Sequence, residues 1–130
     1  MERLRTILVV ENDSDIRRLI RDKLPKHLPG YAVIDAQDAT EALSLAYQHV
    51  GPIDIVVADS VLGDLTMADM SHWLRMKYPR LKFIYMFGCG EDSKSGRNYI
   101  SQGNALFLAK PFSMRCLSQA VHSLEDRETP

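Results

Sequence analysis

The chain has 130 residues, 45% of them hydrophobic, which is the size of one domain with a single substantial core. Its 16 basic and 17 acidic residues leave a net charge of -1, so nothing marks an electrostatic footprint for nucleic acid or for an anionic membrane. Two cysteines, Cys89 and Cys116, fit no metal-ligand spacing and are expected as reduced thiols in a cytoplasmic protein. No signal peptide or membrane span is expected either, because TILVV is too short to cross a bilayer and runs straight into charge.

The first apolar run, TILVV (6–10), predicts a strand, and Ser14 is the expected N-cap of the helix behind it. Ile16, Leu19, Ile20 and Leu24 form the apolar face of that helix, which is expected to stop near Pro25. YAVIDA (31–36) predicts a second strand. Asp38 and Glu41 resemble a capping box ahead of Ala39, Ala42, Leu43, Ala46 and Val50, which keep helical spacing. IDIVVA (53–58) is apolar without alternation, the pattern of a strand buried on both faces. Met67, Met70, Trp73 and Leu74 predict a core-facing helix ending near Pro79, followed by a fourth strand, LKFIYMF (81–87). The stretch 91–103 predicts only a short helix, since Gly96 inside it costs about 1 kcal/mol relative to Ala. ALFLA (105–109) predicts the fifth strand, and Met114, Leu117, Ala120, Val121 and Leu124 face inward on a final helix after Ser113. Residues 1–125 thus read as one domain and 126–130 as a frayed tail or the start of a linker. Strands alternating with helices imply a doubly wound parallel sheet of five strands, a flavodoxin-like (βα)5 fold.

Ligands of such sheets gather beyond the carboxyl ends of the strands. There the first strand runs into Glu11, Asn12 and Asp13, the third ends at Asp59, and the fifth ends at Lys110 before Pro111. With these residues the chain resembles the receiver domains of two-component response regulators over nearly its whole length. ILVVENDSDIRRLI resembles the family's first strand, acidic cluster and first helix. DIVVADSVLGDL resembles its phospho-acceptor strand and loop, and FLAKPFS its lysine-proline turn.

The resemblance implies a signalling module rather than an enzyme, in which Asp59 accepts a phosphoryl group from a histidine kinase or phosphotransfer protein and Lys110 pairs with that group. It also implies a magnesium ion held by Glu11, Asn12, Asp59 and the backbone carbonyl of Val61, a cis Lys110-Pro111 bond, and output or homodimerisation through the fourth helix, fifth strand and fifth helix. Two departures qualify this. Asn12 stands where a second acid is usual, so magnesium is expected to bind weakly unless Asp13 turns inward. Phe87 stands where a Ser or Thr hydroxyl would bind the phosphoryl oxygen, which impairs the switch that pairs it with the aromatic Phe107. The loop after Asp59 is unusual as well, with Gly63 where Pro is common and Thr66-Met67 where Asp-Gly is common. The alternative is a pseudo-receiver, a protein-interaction module that works without phosphorylation. A flavodoxin-like enzyme or nucleotide binder lacks support, because no Gly-rich loop follows the first strand.

Overall fold

A computed structural model describes residues 4–88, 99–102 and 104–125. Its elements, in chain order, are β1 (Arg5–Val10), α1 (Ser14–His27), β2 (Tyr31–Ala36), α2 (Ala39–Gln48), β3 (Ile55–Asp59), α3 (Met67–Lys77), β4 (Lys82–Phe87), β5 (Tyr99–Gln102), β6 (Ala105–Ala109) and α4 (Met114–Glu125). The sheet order is β2-β1-β3-β4-β6-β5. Strands β1, β2, β3, β4 and β6 are parallel, as the apolar runs predict, and form a flavodoxin-like sheet in one domain.

Strand alternation divides the apolar residues between two cores. Ile7, Val9, Ile55, Val57, Ile84 and Met86 pack under α1 and α4, while Leu8, Val10, Val56, Phe83 and Tyr85 pack under α2 and α3. Central β3 has no accessible surface from Ile55 to Ala58, which is why its sequence shows no alternation.

The chain order reverses at β1, which has β2 on one side and β3 on the other. The ends of β1 and β3 therefore lie side by side at the position where doubly wound sheets place their ligands.

Several expectations need correction. The N-cap of α1 is Asp13 rather than Ser14, with its carboxylate accepting from the N–H groups of Asp15 and Ile16. Helix α1 also continues past Pro25 to His27, because proline sits in the last turn and the chain closes by a Leu28 N–H bond to its carbonyl. Leu19 is 48% exposed, and Val50, beyond the end of α2, is 94% exposed. In the stripe on α3, Met70 and Leu74 are buried but Trp73 is half exposed, since it lies on the flank of the helix one residue before Leu74.

The largest difference is at the fourth helix. Tyr99–Gln102 is a strand, antiparallel to β6 at the sheet edge, with Gln102 opposite Ala105 and Ile100 opposite Phe107. An aromatic and a β-branched residue at 99 and 100 favour a strand, and Gly103-Asn104 is a dipeptide of the type that joins hairpin strands. The rest of that expected helix, Cys89, and the tail at 126–130 lie outside the described residues.

At the end of the sheet opposite the strand carboxyl ends, Glu125 gathers the polar groups. Its carboxylate accepts from the Tyr31 hydroxyl at 2.6 Å, pairs with Arg5, and lies 3.9 Å from the buried Lys82 Nζ. Lys82 also donates to the Leu124 carbonyl at 2.9 Å, so α4 is anchored to β1, β2 and β4 at once. Removing Glu125 takes the acceptor from the Tyr31 hydroxyl and a charge from beside Arg5 and Lys82 in a partly buried cluster. Glu125→Ala should lower the unfolding free energy by about 2 kcal/mol, with Glu125→Gln recovering part of the loss, both read from urea denaturation midpoints.

Candidate functional site

Glu11 follows β1 directly and is fully buried. Its own N–H donates to the Ala36 carbonyl, and its carbonyl accepts from Arg17 of α1 at 2.8 Å. Arg17 in turn pairs with Asp35 of β2 at 3.2 Å, so the turn after β1 is braced from the neighbouring helix and strand. One Glu11 carboxylate oxygen accepts from the Asp13 N–H at 3.1 Å. The other faces Lys110.

Asp59 is the last residue of β3 and is 9% exposed. Its Oδ1 accepts from the N–H of Val61, 3.2 Å away. Lys110 follows β6, two strands from β3, a gap of roughly 10 Å at the usual strand spacing. Only a long side chain spans such a gap. Lys110 does so, placing Nζ 3.0 Å from Glu11 Oε1 and 3.2 Å from Asp59 Oδ2. Its backbone N–H is held at 2.8 Å by the Phe87 carbonyl, and the Lys110-Pro111 bond is cis, as the resemblance implies.

Two carboxylates and one ammonium leave a single net negative charge in a site largely closed to water. Burial pushes the Glu11 carboxyl above the ordinary carboxylate range, against the opposing pull of the Asp13 N–H and Lys110. For Lys110 burial alone would lower the pKa, but the hydrogen bond and charge of Glu11, with the charge of Asp59, outweigh it and raise it. The lysine therefore stays cationic.

The donors on offer are hard oxygens, the kind magnesium takes. Asn12 is exposed beside Glu11, and Val61 is exposed two residues after Asp59. Asp13 does not supply the missing acid, because its carboxylate is turned to the α1 N-terminus. Among the described residues no group of three or more acidic, histidine or cysteine side chains forms a metal cluster. These residues suit a magnesium ion whose shell is completed mostly by water and phosphoryl oxygens.

The two aromatics of the expected switch lie on the same sheet face. Phe107 is half-buried, its ring 5.4 Å from that of Tyr85, which is its partner in the β4-β6 register. Phe87 is 6% exposed, two residues beyond Tyr85 and opposite the small Ala109. Phenylalanine offers no hydroxyl to a ligand at Asp59.

Sequence reasoning missed Arg17 and Asp64. Neither carries a local signal, since a surface-helix arginine and a loop aspartate are common, and each acts across the chain. Asp64 reaches back to the start of α2, 24 and 25 residues earlier.

Comparison with known proteins agrees with this fold. The family model described as "response regulator receiver domain" matches residues 7–122. Sensor kinase CckA of Brucella abortus is 31% identical over 127 residues, a match covering 95% of this chain and 13% of that protein. The probable transcriptional regulator ycf27 of Guillardia theta is 25% identical over 126 residues, covering 95% of this chain and 46% of that protein. The chain thus spans less than half the length of either relative. Among solved structures, a response regulator receiver domain protein from Clostridium thermocellum superposes with a TM-score of 0.73 at 25% identity, covering 96% of this chain and 97% of that one. The Thermotoga maritima response regulator TrrA, solved in complex with Mg2+ and beryllofluoride, superposes with a TM-score of 0.70 at 24% identity, covering 92% and 98%. Fold and family match agree, and the chain belongs to the response regulator receiver family.

Proposed function

We propose that this receiver accepts a phosphoryl group on Asp59 from a histidine kinase or a histidine phosphotransfer protein in the cytoplasm. The observation that carries the reading is the Lys110 ammonium, 3.2 Å from Asp59 and 3.0 Å from Glu11. Phosphoryl transfer needs positioning and charge neutralisation more than covalent chemistry from the protein. One Asp59 oxygen attacks phosphorus, the bond to the donor histidine nitrogen breaks, and the imidazole leaves with the electron pair. Lys110 then moves its contact from the Asp59 oxygen to an oxygen of the arriving phosphoryl group. The Val61 N–H orients the acceptor carboxylate. Glu11, Asn12, Asp59 and the Val61 carbonyl would hold magnesium, which, when bound, neutralises charge on the phosphoryl oxygens.

The absence of a switch hydroxyl supports a second element of the proposal, an impaired output through β6 and α4. In the family's switch a hydroxyl at position 87 is drawn toward the phosphoryl group and frees space for the aromatic at 107. Phe87 cannot be drawn in this way, and turning Phe107 into space that the Phe87 ring fills would overpack the core, which typically costs about 1 to 3 kcal/mol. A ligand shifts a two-state equilibrium only by its differential affinity for the two states. The same observation, together with Asn12, favours the alternative of a pseudo-receiver that binds partners without phosphorylation. Self-association through this face would use β5, β6 and α4, since a strand occupies part of the expected fourth helix. No helix among the described residues is long and apolar enough to cross a membrane.

Incubation with magnesium and a small phosphodonor should add the mass of one phosphoryl group to the intact protein and none to Asp59→Asn. An unmodified wild type would leave the pseudo-receiver as the standing account. For the switch, beryllofluoride and magnesium should leave the amide resonances of residues 105–108, which stop short of Lys110, nearly unmoved in the wild type. Phe87→Thr should shift them clearly. Equal, large shifts in both proteins would show that the switch runs without a hydroxyl at position 87.

A further inference from the structure

The loop from Ser60 to Thr66 joins the phospho-acceptor strand to α3, and it is held at three places. At its start the Val61 N–H donates to Asp59 Oδ1 at 3.2 Å. At its end Thr66 caps α3, its hydroxyl accepting from the Asp69 N–H at 3.0 Å. Between them Asp64 crosses to α2, where its two oxygens accept from the N–H groups of Ala39 at 3.3 Å and Thr40 at 2.9 Å, and from the Thr40 hydroxyl at 2.7 Å. These are first-turn donors that have no partner within the helix. Asp38 takes the Glu41 N–H, so two carboxylates from different parts of the chain share the N-terminus of α2. Burial would raise the Asp64 carboxyl, but the hydrogen bonds it accepts from Thr40, Ala39 and Leu65 together outweigh burial and hold it below its ordinary range.

Gly63 makes the crossing possible. It has φ +87°, a left-handed conformation that proline cannot adopt, and it stands where the family usually has proline.

We propose that Asp64 is a positioning residue that ties the loop carrying Val61 to α2, so that a phosphoryl group on Asp59 is read out at the face of α2 and α3. The inference rests on the phosphoryl-acceptor reading above. A tetrahedral group on Asp59 competes for the Val61 N–H, and any shift of Val61 passes through a loop fixed to both helices. Farther along, the two helices are joined again. The Tyr47 hydroxyl donates to the Trp73 carbonyl at 2.8 Å, and Lys77 Nζ donates to the carbonyls of Ala46, Tyr47 and His49. Helices α2 and α3 therefore respond as a pair, and Tyr47, Trp73 and Met76 are exposed on them. This route needs no hydroxyl at position 87.

Trp73 is the single tryptophan of the chain and gives a direct optical readout. Beryllofluoride with magnesium would be added to the full chain, with occupancy of Asp59 followed by 19F NMR. Trp73 emission and the amide resonances of Ala39, Thr40 and Leu65 would be recorded in parallel. In the wild type all of these should move on binding. In Asp64→Ala beryllofluoride should still occupy Asp59 while the Trp73 response falls about fivefold or more. Thr40→Val, which removes only the hydroxyl donor, should give an intermediate loss and keeps the test open if Asp64→Ala folds poorly. Full Trp73 responses in both variants, or wild-type shifts confined to β6 and α4, would overturn the proposal. Failure of beryllofluoride to occupy Asp59 in the wild type would overturn this inference and the acceptor reading together.

Discussion

The ammonium of Lys110, shared between two nearly dry carboxylates, is the constraint around which this site is arranged. Glu11 and Asp59 end adjacent parallel strands, and without a cation between them two like charges would be forced together away from water. Lys110 removes that repulsion from the far side of β4. It also leaves a single net negative charge, so the resting site still attracts a cation and the neutralising group stays within reach of an incoming phosphoryl oxygen. The strand order brings the three strand ends within the reach of a lysine side chain.

Around that triad the chain uses polar side chains to bind loops to helices. Arg17 braces the turn after β1, Asp13 spends its carboxylate on α1, and Asp64 fixes the loop after β3 to α2. The use of Asp13 as a cap has a direct chemical consequence. With Asn12 neutral and Asp13 facing the helix, the acidic cluster keeps one carboxylate for the site, so magnesium must rely on water and phosphoryl oxygens for much of its shell. Binding of metal and of phosphoryl group should accordingly be strongly interdependent.

The parallel sheet was legible in the sequence because each strand is an apolar run of its own, and the buried β3 gave the clearest signal by lacking alternation. That Asp59 and Lys110 would meet at one rim was legible because Asp59 ends an apolar run and Lys110 stands before Pro111 in a turn that resembles the family's. Ser14 was expected as the cap and Asp13 only as a member of the acidic cluster, since both types cap helices well and the choice depends on backbone geometry at a single residue. The strand at Tyr99–Gln102 was hidden by the alternating β/α pattern, although the Gly103-Asn104 dipeptide and the aromatic and β-branched pair before it pointed to a hairpin. Asp64 could not be found locally, because its meaning lies in contacts with Ala39 and Thr40, which only the fold brings near.

The central claim is that Lys110 acts on the phosphoryl group and does more than neutralise the resting site. Replacing it by methionine separates these roles, because it keeps the length of the stem and removes the charge. Magnesium affinity and phosphorylation of Asp59 by a phosphodonor, measured on wild type and Lys110→Met, should move in opposite directions. Magnesium should bind more tightly once the competing ammonium is gone, while transfer at saturating magnesium should fall about a hundredfold, the usual cost of losing a charge-stabilising group. Unchanged transfer, or loss of metal binding and transfer together, would contradict this account.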